Sequence, residues 1–398
     1  MQKQNEYILL LLFLTLSIVP SLFFVILQLQ SLTIGVTAAI LLLVCVLLIK
    51  YPLLKIDTKP VFLINLFCAL LMLFSFLNIY SEEKVFFSII ILYIFLTAAL
   101  FFSFILVGEG VEIVKSAIVK VTIILSLLGW LSFLIEIEVL GYDRYVKSVL
   151  FFYEPSHFAL VFGIFFISAI NLNISKYLKL YLFLSTLTFG MLFPNVTILV
   201  YFFIGFALSI KKFSTSLIAL FIFMSLFTLL ILFQPDFFSY YFDRVNFSDG
   251  NDNLSALVYL QGWLESYKSI IESDGIGLGF QMAGTNSPSI IAEKIYILAD
   301  MYLNREDGGF LAAKLIIEFG FIGVFLVLGY LVLFITSFIR LRLSTYPKNT
   351  FLFISDLFFV GFFVDMFIRS AGYFTLGMFL FIVALFLRFN KCSLHISK

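Results

Sequence analysis

Five consecutive residues, Tyr153-Glu154-Pro155-Ser156-His157, set a carboxylate and an imidazole three positions apart at the start of an apolar stretch. Proline suits the first position of a helix, where its missing N–H leaves nothing unsatisfied, so Glu154 falls at the capping position. A carboxylate there faces the positive end of the helix dipole and stays ionised. An ionised carboxylate can take the proton of a hydroxyl as a general base, and His157, on nearly the same helical face, could be that base instead. The structural alternative is that Glu154 only caps the helix and His157 only bonds a neighbouring one. Two further pairs, Lys314 with Glu318 and Asp365 with Arg369, stand four residues apart in apolar stretches. That spacing lets opposite charges neutralise each other on one helix face. Lys120 and Asp356 are isolated charges expected to snorkel or pair near the opposite end.

The elements that must hold these residues are membrane helices. The chain has 398 residues, 62% of them hydrophobic and 12% charged, against about 25% charged in soluble domains. A bilayer-crossing helix takes roughly 20 apolar residues, whereas a β-barrel would show short alternating segments. The runs predict about twelve spans. They lie near 7–27, 31–49, 60–80, 85–107, 116–138, 155–173, 177–193, 195–210, 213–233, 309–338, 351–370 and 372–389. The first is long for a signal peptide and has no small-residue cleavage site, so it is read as a span. The expected fold class is an all-α, polytopic helical bundle in one transmembrane domain. A net charge of +1 offers no basic surface for nucleic acid. Cys45 and Cys68 fall in apolar runs and Cys392 in the tail, which leaves no disulfide framework, and His157 and His395 are too few for a histidine-based metal site.

Basic residues in short loops set orientation. One set of loops carries Lys50, Lys55 and Lys59, then Lys176 and Lys179, Lys211 and Lys212, and Arg340, Arg342 and Lys348; the tail adds Arg388, Lys391 and Lys398. The alternating loops are acidic or nearly uncharged, as in Ser81-Glu82-Glu83-Lys84. Both termini are therefore expected in the cytoplasm, and the long polar interval 234–308, between the ninth and tenth spans, on the outer side.

That interval is not featureless. Leu260, Trp263, Leu264, Tyr267, Ile270 and Ile271 have helical spacing with Gly275 as a stop, and Ile291, Ile295, Leu298, Met301 and Tyr302 repeat the pattern after Ser287-Pro288, which supplies an expected capping residue and first-turn proline. Two amphipathic helices are expected, lying on the outer leaflet, covering a cavity mouth or packing on the bundle. Four bases stand against eleven acids, a net of −7, so an anion must be bound by a few placed cations. Arg244 and Arg305 sit near the two ends of the interval, at the level of lipid headgroups. Gly275-Ile276-Gly277-Leu278-Gly279 lacks the Lys-Ser/Thr of a phosphate loop and reads as a turn between helices.

The outer interval, Glu154-Pro155-Ser156 opening a central span, and Gly308-Gly309-Phe310 followed by Glu318-Phe319-Gly320-Phe321-Ile322-Gly323 together resemble the O-antigen polymerases, the bacterial oligosaccharide repeat-unit polymerases known as Wzy. The Gly275–Gly279 turn and the span after the interval also look like the related O-antigen ligases. A Ser-Arg pair common in that group before one central span is replaced here by Phe193-Pro194-Asn195-Val196-Thr197. The resemblance implies a GT-C type glycosyltransferase of the bacterial inner membrane. It would use undecaprenyl-diphosphate-linked oligosaccharides in the bilayer and need no nucleotide sugar, metal or other cofactor. A chain-length regulator and a flippase of the same pathway are its implied partners. A diphosphate leaving group wants arginines that bind it bidentately, with Arg144, Arg244, Arg305 and Arg369 as candidates. The acceptor hydroxyl wants a base, Glu154 or His157, and Trp263 and Tyr267 offer stacking surfaces for sugars. Competing expectations are a ligase moving finished glycan to lipid A-core, a flippase with essential charges along a path through the membrane, and an envelope scaffold.

Overall fold

The structure, a computed structural model, describes residues 2–29, 31–50, 58–77, 83–135, 141–142, 148–193, 195–210, 239, 241–244, 246–247, 251–343, 346 and 351–389. Among these the regular structure is helical, save one isolated antiparallel bridge between Val149 and Phe152. The first eight helices are α1 (Gln2–Ile26), α2 (Leu32–Lys50), α3 (Thr58–Leu77), α4 (Glu83–Glu109), α5 (Val111–Leu131), α6 (Pro155–Asn171), α7 (Lys176–Leu192) and α8 (Val196–Ser209). After them come α9 (Leu254–Glu272), α10 (Ile290–Ala299), α11 (Leu311–Leu343), α12 (Leu352–Gly361), α13 (Phe363–Phe367) and α14 (Leu376–Phe389). Among the described residues, five helices are long and apolar enough to cross a membrane: Lys3–Ile26, Leu32–Lys50, Thr58–Phe76, Glu83–Glu109 and Leu311–Leu343. Shorter apolar helices lie at Pro155–Asn171, Val196–Ser209 and Leu376–Phe389. The span expected at 213–233 lies outside the described residues.

The helices run alternately between two ends, as the short connections require. A single residue, Gly110 at φ +91°, joins α4 to α5. At one end Lys50 pairs with Glu109 (3.1 Å) and Lys120 with Glu6 (2.8 Å). Asp356 there is fully buried and gathers Arg340 (2.8 Å), the Ser337 hydroxyl (2.7 Å) and the Tyr346 hydroxyl (2.7 Å), with Arg388 at 3.4 Å. Both isolated charges are therefore paired, which removes the cost of an unpaired ion among apolar groups. At the other end the Tyr153 N–H donates to the Ser21 hydroxyl (3.1 Å), and the Tyr241 hydroxyl donates to the Gly190 carbonyl (2.7 Å).

The core is centred on α6, which packs against α5, α8 and α12 and is buried from Ser156 to Ile170 except at the half-buried Val161. Small residues permit that packing. A Cβ on Gly163 would lie 2.1 Å from the Tyr201 ring of α8, so only glycine lets these helices approach so closely. The stretch expected as one span over 351–370 is instead broken at Phe362 into α12 and α13, and α13 ends at Phe367.

A second break divides α11. Gly320 sits at φ +53°, ψ −127°, outside helical geometry. The break frees carbonyls upstream, and the glycine turn before α10 satisfies them. Leu278 N–H donates to Ile317 O and Gly279 N–H to Glu318 O, each at 2.9 Å, while Phe321 N–H donates to Gly275 O at 2.9 Å. Gly275, Gly277 and Gly279 all have positive φ, and a Cβ on Gly277 would stand 2.5 Å from the Glu318 carbonyl. The turn expected from sequence is present, and its partner is the broken helix. Beyond the break, residues 321–343 span about 34 Å at about 1.5 Å per residue, enough by themselves for a hydrocarbon core of ~30 Å.

Candidate functional site

The α6 N-terminus has the predicted form. Glu154 caps with extended backbone (φ −137°, ψ 147°) and Pro155 occupies the first turn. The carboxylate, however, makes no capping bond to a backbone N–H. It accepts from the Ser156 hydroxyl (2.7 Å) and pairs with the Arg369 guanidinium (3.0 Å). The purely capping role considered for Glu154 is thus not what its side chain does. Burial alone would raise the Glu154 carboxyl, but the Arg369 charge and the Ser156 hydroxyl favour the ionised form and hold it below the usual carboxylate range.

His157 lies one turn further in, buried, with Nε2 at 2.5 Å from the Tyr153 hydroxyl and the Tyr153 ring stacked obliquely on its own at 4.4 Å. Tyr153 rests in turn on Phe24 of α1 (4.5 Å). Glu154, His157, Tyr153 and Arg369 all line one polar cavity of about 200 Å³. The end of the polar interval also lines it, through Asn304 and Asp307, and Ser370 adds a hydroxyl beside Arg369. Arg369 is the one cation among the described lining residues, against two carboxylates. The arrangement can present a base to a hydroxyl while a guanidinium at the same rim receives an anion. A smaller cavity of about 40 Å³ shares Leu32, His157, Leu160 and Ala371 with this one and reaches Asp365 and Thr375.

Other expected partners are arranged differently. Asp365 and Arg369 do not form the i,i+4 pair, because the helix ends between them. Asp365 is fully buried and accepts from the Thr375 hydroxyl (3.1 Å), while Arg369 turns to Glu154. Lys314 and Glu318 do pair (3.2 Å), and Tyr373 donates to Glu318 (2.8 Å). Arg305 is only 9% exposed and faces into the interval, 3.5 Å from Glu265 and over the Tyr302 ring, with its guanidinium donating to Asn286. It braces α9 against the segment after it and does not line the cavity. Arg244, in a helical turn at 241–244, is also absent from the cavity lining, and Arg144 lies outside the described residues.

Both amphipathic helices of the interval exist, as α9 and α10, with local corrections. The cap of α10 is Ser289, whose hydroxyl accepts from Ala292 N–H (3.2 Å), and Pro288 precedes it; the helix ends at Asp300, so Met301 and Tyr302 lie beyond it. Beyond its first turn, where Leu257 and Val258 are buried, the face of α9 that packs inward is polar and small. Ser266 and Ser269 donate to the carbonyls of Ala313 (3.2 Å) and Ile317 (2.7 Å), and a Cβ on Gly262 would meet Gly308 O at 2.5 Å. Trp263 and Tyr267 point away and do not line the cavity; Trp263 leans on Phe310 at 4.9 Å. Asn304, Asp307 and Ser370 are cavity residues that spacing could not single out, since each reaches the site from an irregular segment. Their only signal in sequence is adjacency to Arg305 and Arg369. No protein-family model, no curated protein and no solved structure matches the chain.

Proposed function

We propose that the chain is a GT-C type glycosyltransferase that joins lipid-linked oligosaccharide repeat units at the outer side of a bacterial inner membrane. The reading takes about twelve spans with both termini in the cytoplasm, which would put the cavity and the polar interval outside. The observation that carries it is the cavity rim where Glu154 is ion-paired with Arg369 beside His157.

The chemistry follows from that pair. Two carboxylates around one guanidinium make the cavity hospitable to sugar hydroxyls and poor for a free diphosphate, so the donor's diphosphate would meet Arg369 from the rim. A guanidinium serving a diphosphate holds Glu154 less tightly. The carboxylate then becomes more basic as the donor arrives and takes the acceptor hydroxyl's proton, directly or through His157. The acceptor oxygen forms the new bond to the anomeric carbon, the bond to the diphosphate breaks, and Arg369 stabilises the charge on the departing group. Arg305 has a positioning role through Glu265 and Asn286.

Gene deletion followed by a gel of the surface glycan tests the reading. Loss of a polymerase leaves one repeat unit on the core. No glycan on the core with polymer left on the carrier would instead mean a ligase, and no repeat unit outside at all a flippase. Glu154→Gln and Arg369→Ala are expected to reproduce the deletion; a full ladder from both would overturn the assignment of the site.

A further inference from the structure

The first turn of α9 buries Ala256, Leu257 and Val258, but from there on its buried positions are Gln261, Gly262, Glu265, Ser266 and Ser269, while Trp263, Tyr267 and Ile271 on the opposite face are 39%, 65% and 58% exposed. A helix docking its polar stripe and displaying its apolar one is the reverse of a water-facing helix. The polar stripe is not idle, because its two serine hydroxyls bond carbonyls of α11. The outward face is therefore fixed in place, and apart from the contact of Trp263 with Phe310 its Tyr267 and Ile271 side chains stand exposed.

The face is also continuous with the exposed surface of a helix long and apolar enough to cross a membrane. Gly275, at the end of α9, abuts the Phe321 ring, and a Cβ there would lie 2.3 Å from it. Phe321 is the first residue beyond the α11 break, and the exposed stripe continues down that membrane-crossing helix through Ile322 and Phe325. Ile276 (58% exposed) joins the two stripes at the glycine turn. Going away from Phe321, the exposed side chains are Ile276, the acids Asp274 and Glu272 at the turn, then Ile271, Tyr267 and Trp263, with Lys268 half-buried beside Tyr267. Exposed Ile, Tyr and Trp mixed with charged side chains on one face is the composition found where a helix lies at the headgroup layer.

We propose that the outer face of α9, from Trp263 through Ile271 to Ile276, is seated in the bilayer at the boundary between headgroups and acyl chains. The polar interval is then a membrane-gripping element. α9 runs alongside the first part of α11, so a grip on lipid there is carried directly to residues 311–319 and to the cavity wall at Asn304 and Asp307. The inference does not depend on the glycosyltransferase reading.

The chain has two tryptophans, which makes a direct test possible. Full-length Trp130→Phe protein, with Trp263 as sole reporter, would be placed in liposomes whose lipids carry bromine at shallow or deep acyl positions. Shallow bromines are expected to remove most of the Trp263 emission, deep bromines less, and aqueous iodide little. Trp130 donates to the Ser185 hydroxyl (3.0 Å), so a second measurement covers failure of that variant: the emission of the unmodified protein minus that of Trp263→Phe. Ready quenching by iodide and none by bromine would overturn the proposal. Protection from both would also overturn it and would point to a second protein on this face.

Discussion

Glu154 and Arg369 are 215 residues apart and meet at one carboxylate oxygen. The carboxylate half of that contact was readable from five residues, because proline fixes the helix start and with it the depth of Glu154 and His157. The arginine half was not. Spacing favours Asp365 as its partner, and only the end of α13 at Phe367 takes Arg369 out of helical register with it. Both side chains of the pair are partly exposed, so its stabilising effect should be within about 1 kcal/mol. Glu154→Gln is thus expected to abolish the glycan ladder while lowering the melting temperature in detergent at neutral pH by only a small, measurable amount; a large drop would make the residue structural. The same pair sets a pH dependence. Because its acid lies below the ordinary carboxylate range, the stability it contributes is complete above the unfolded value (~4.3) and is lost as the pH falls through the folded one. The melting-temperature gap between unmodified protein and Glu154→Gln should therefore close on acidification, and a gap that widens would contradict the pairing.

Among the elements, the apolar runs were legible because hydrophobic length alone decides whether a helix can cross a membrane. The two breaks were not. Glycine is common in apolar helices, and nothing local distinguishes Gly320 from Gly329 until the partner turn is seen. Gly320 has Gly275 O 2.0 Å from where its Cβ would be, whereas Gly329 has open space. Nor could periodicity reveal that α9 would present its apolar stripe outward, since period reports a face and not what it touches. Gly277→Ala would force an alanine to φ +89° with its Cβ against the Glu318 carbonyl. A cost of roughly 1–3 kcal/mol is expected, read as a lower melting temperature. Gly329→Ala should be neutral by the same measurement.

At the scale of the molecule, the two ends do different work. One is closed by the buried Asp356 cluster, which ties α11, α12 and α14 together. Removing Asp356 would strand Arg340 and Arg388 beside each other, at a cost of about 3–5 kcal/mol. Asp356→Ala is expected to lower the yield of folded protein, with the remaining folded fraction retaining a normal glycan ladder in proportion to its amount. The opposite end carries the cavity and the interval, and there the bonds between residues 275–279 and 317–321 have a consequence for how such proteins could diversify. The polar interval looks like a detachable cassette in the chain, yet three of its backbone bonds complete a helix that lies outside it. A chimera that imported the interval without residues 317–321 would leave two carbonyls in a membrane helix unanswered. Recombination between related chains should therefore succeed with crossovers beyond residue 321 and fail with crossovers at its visible edge.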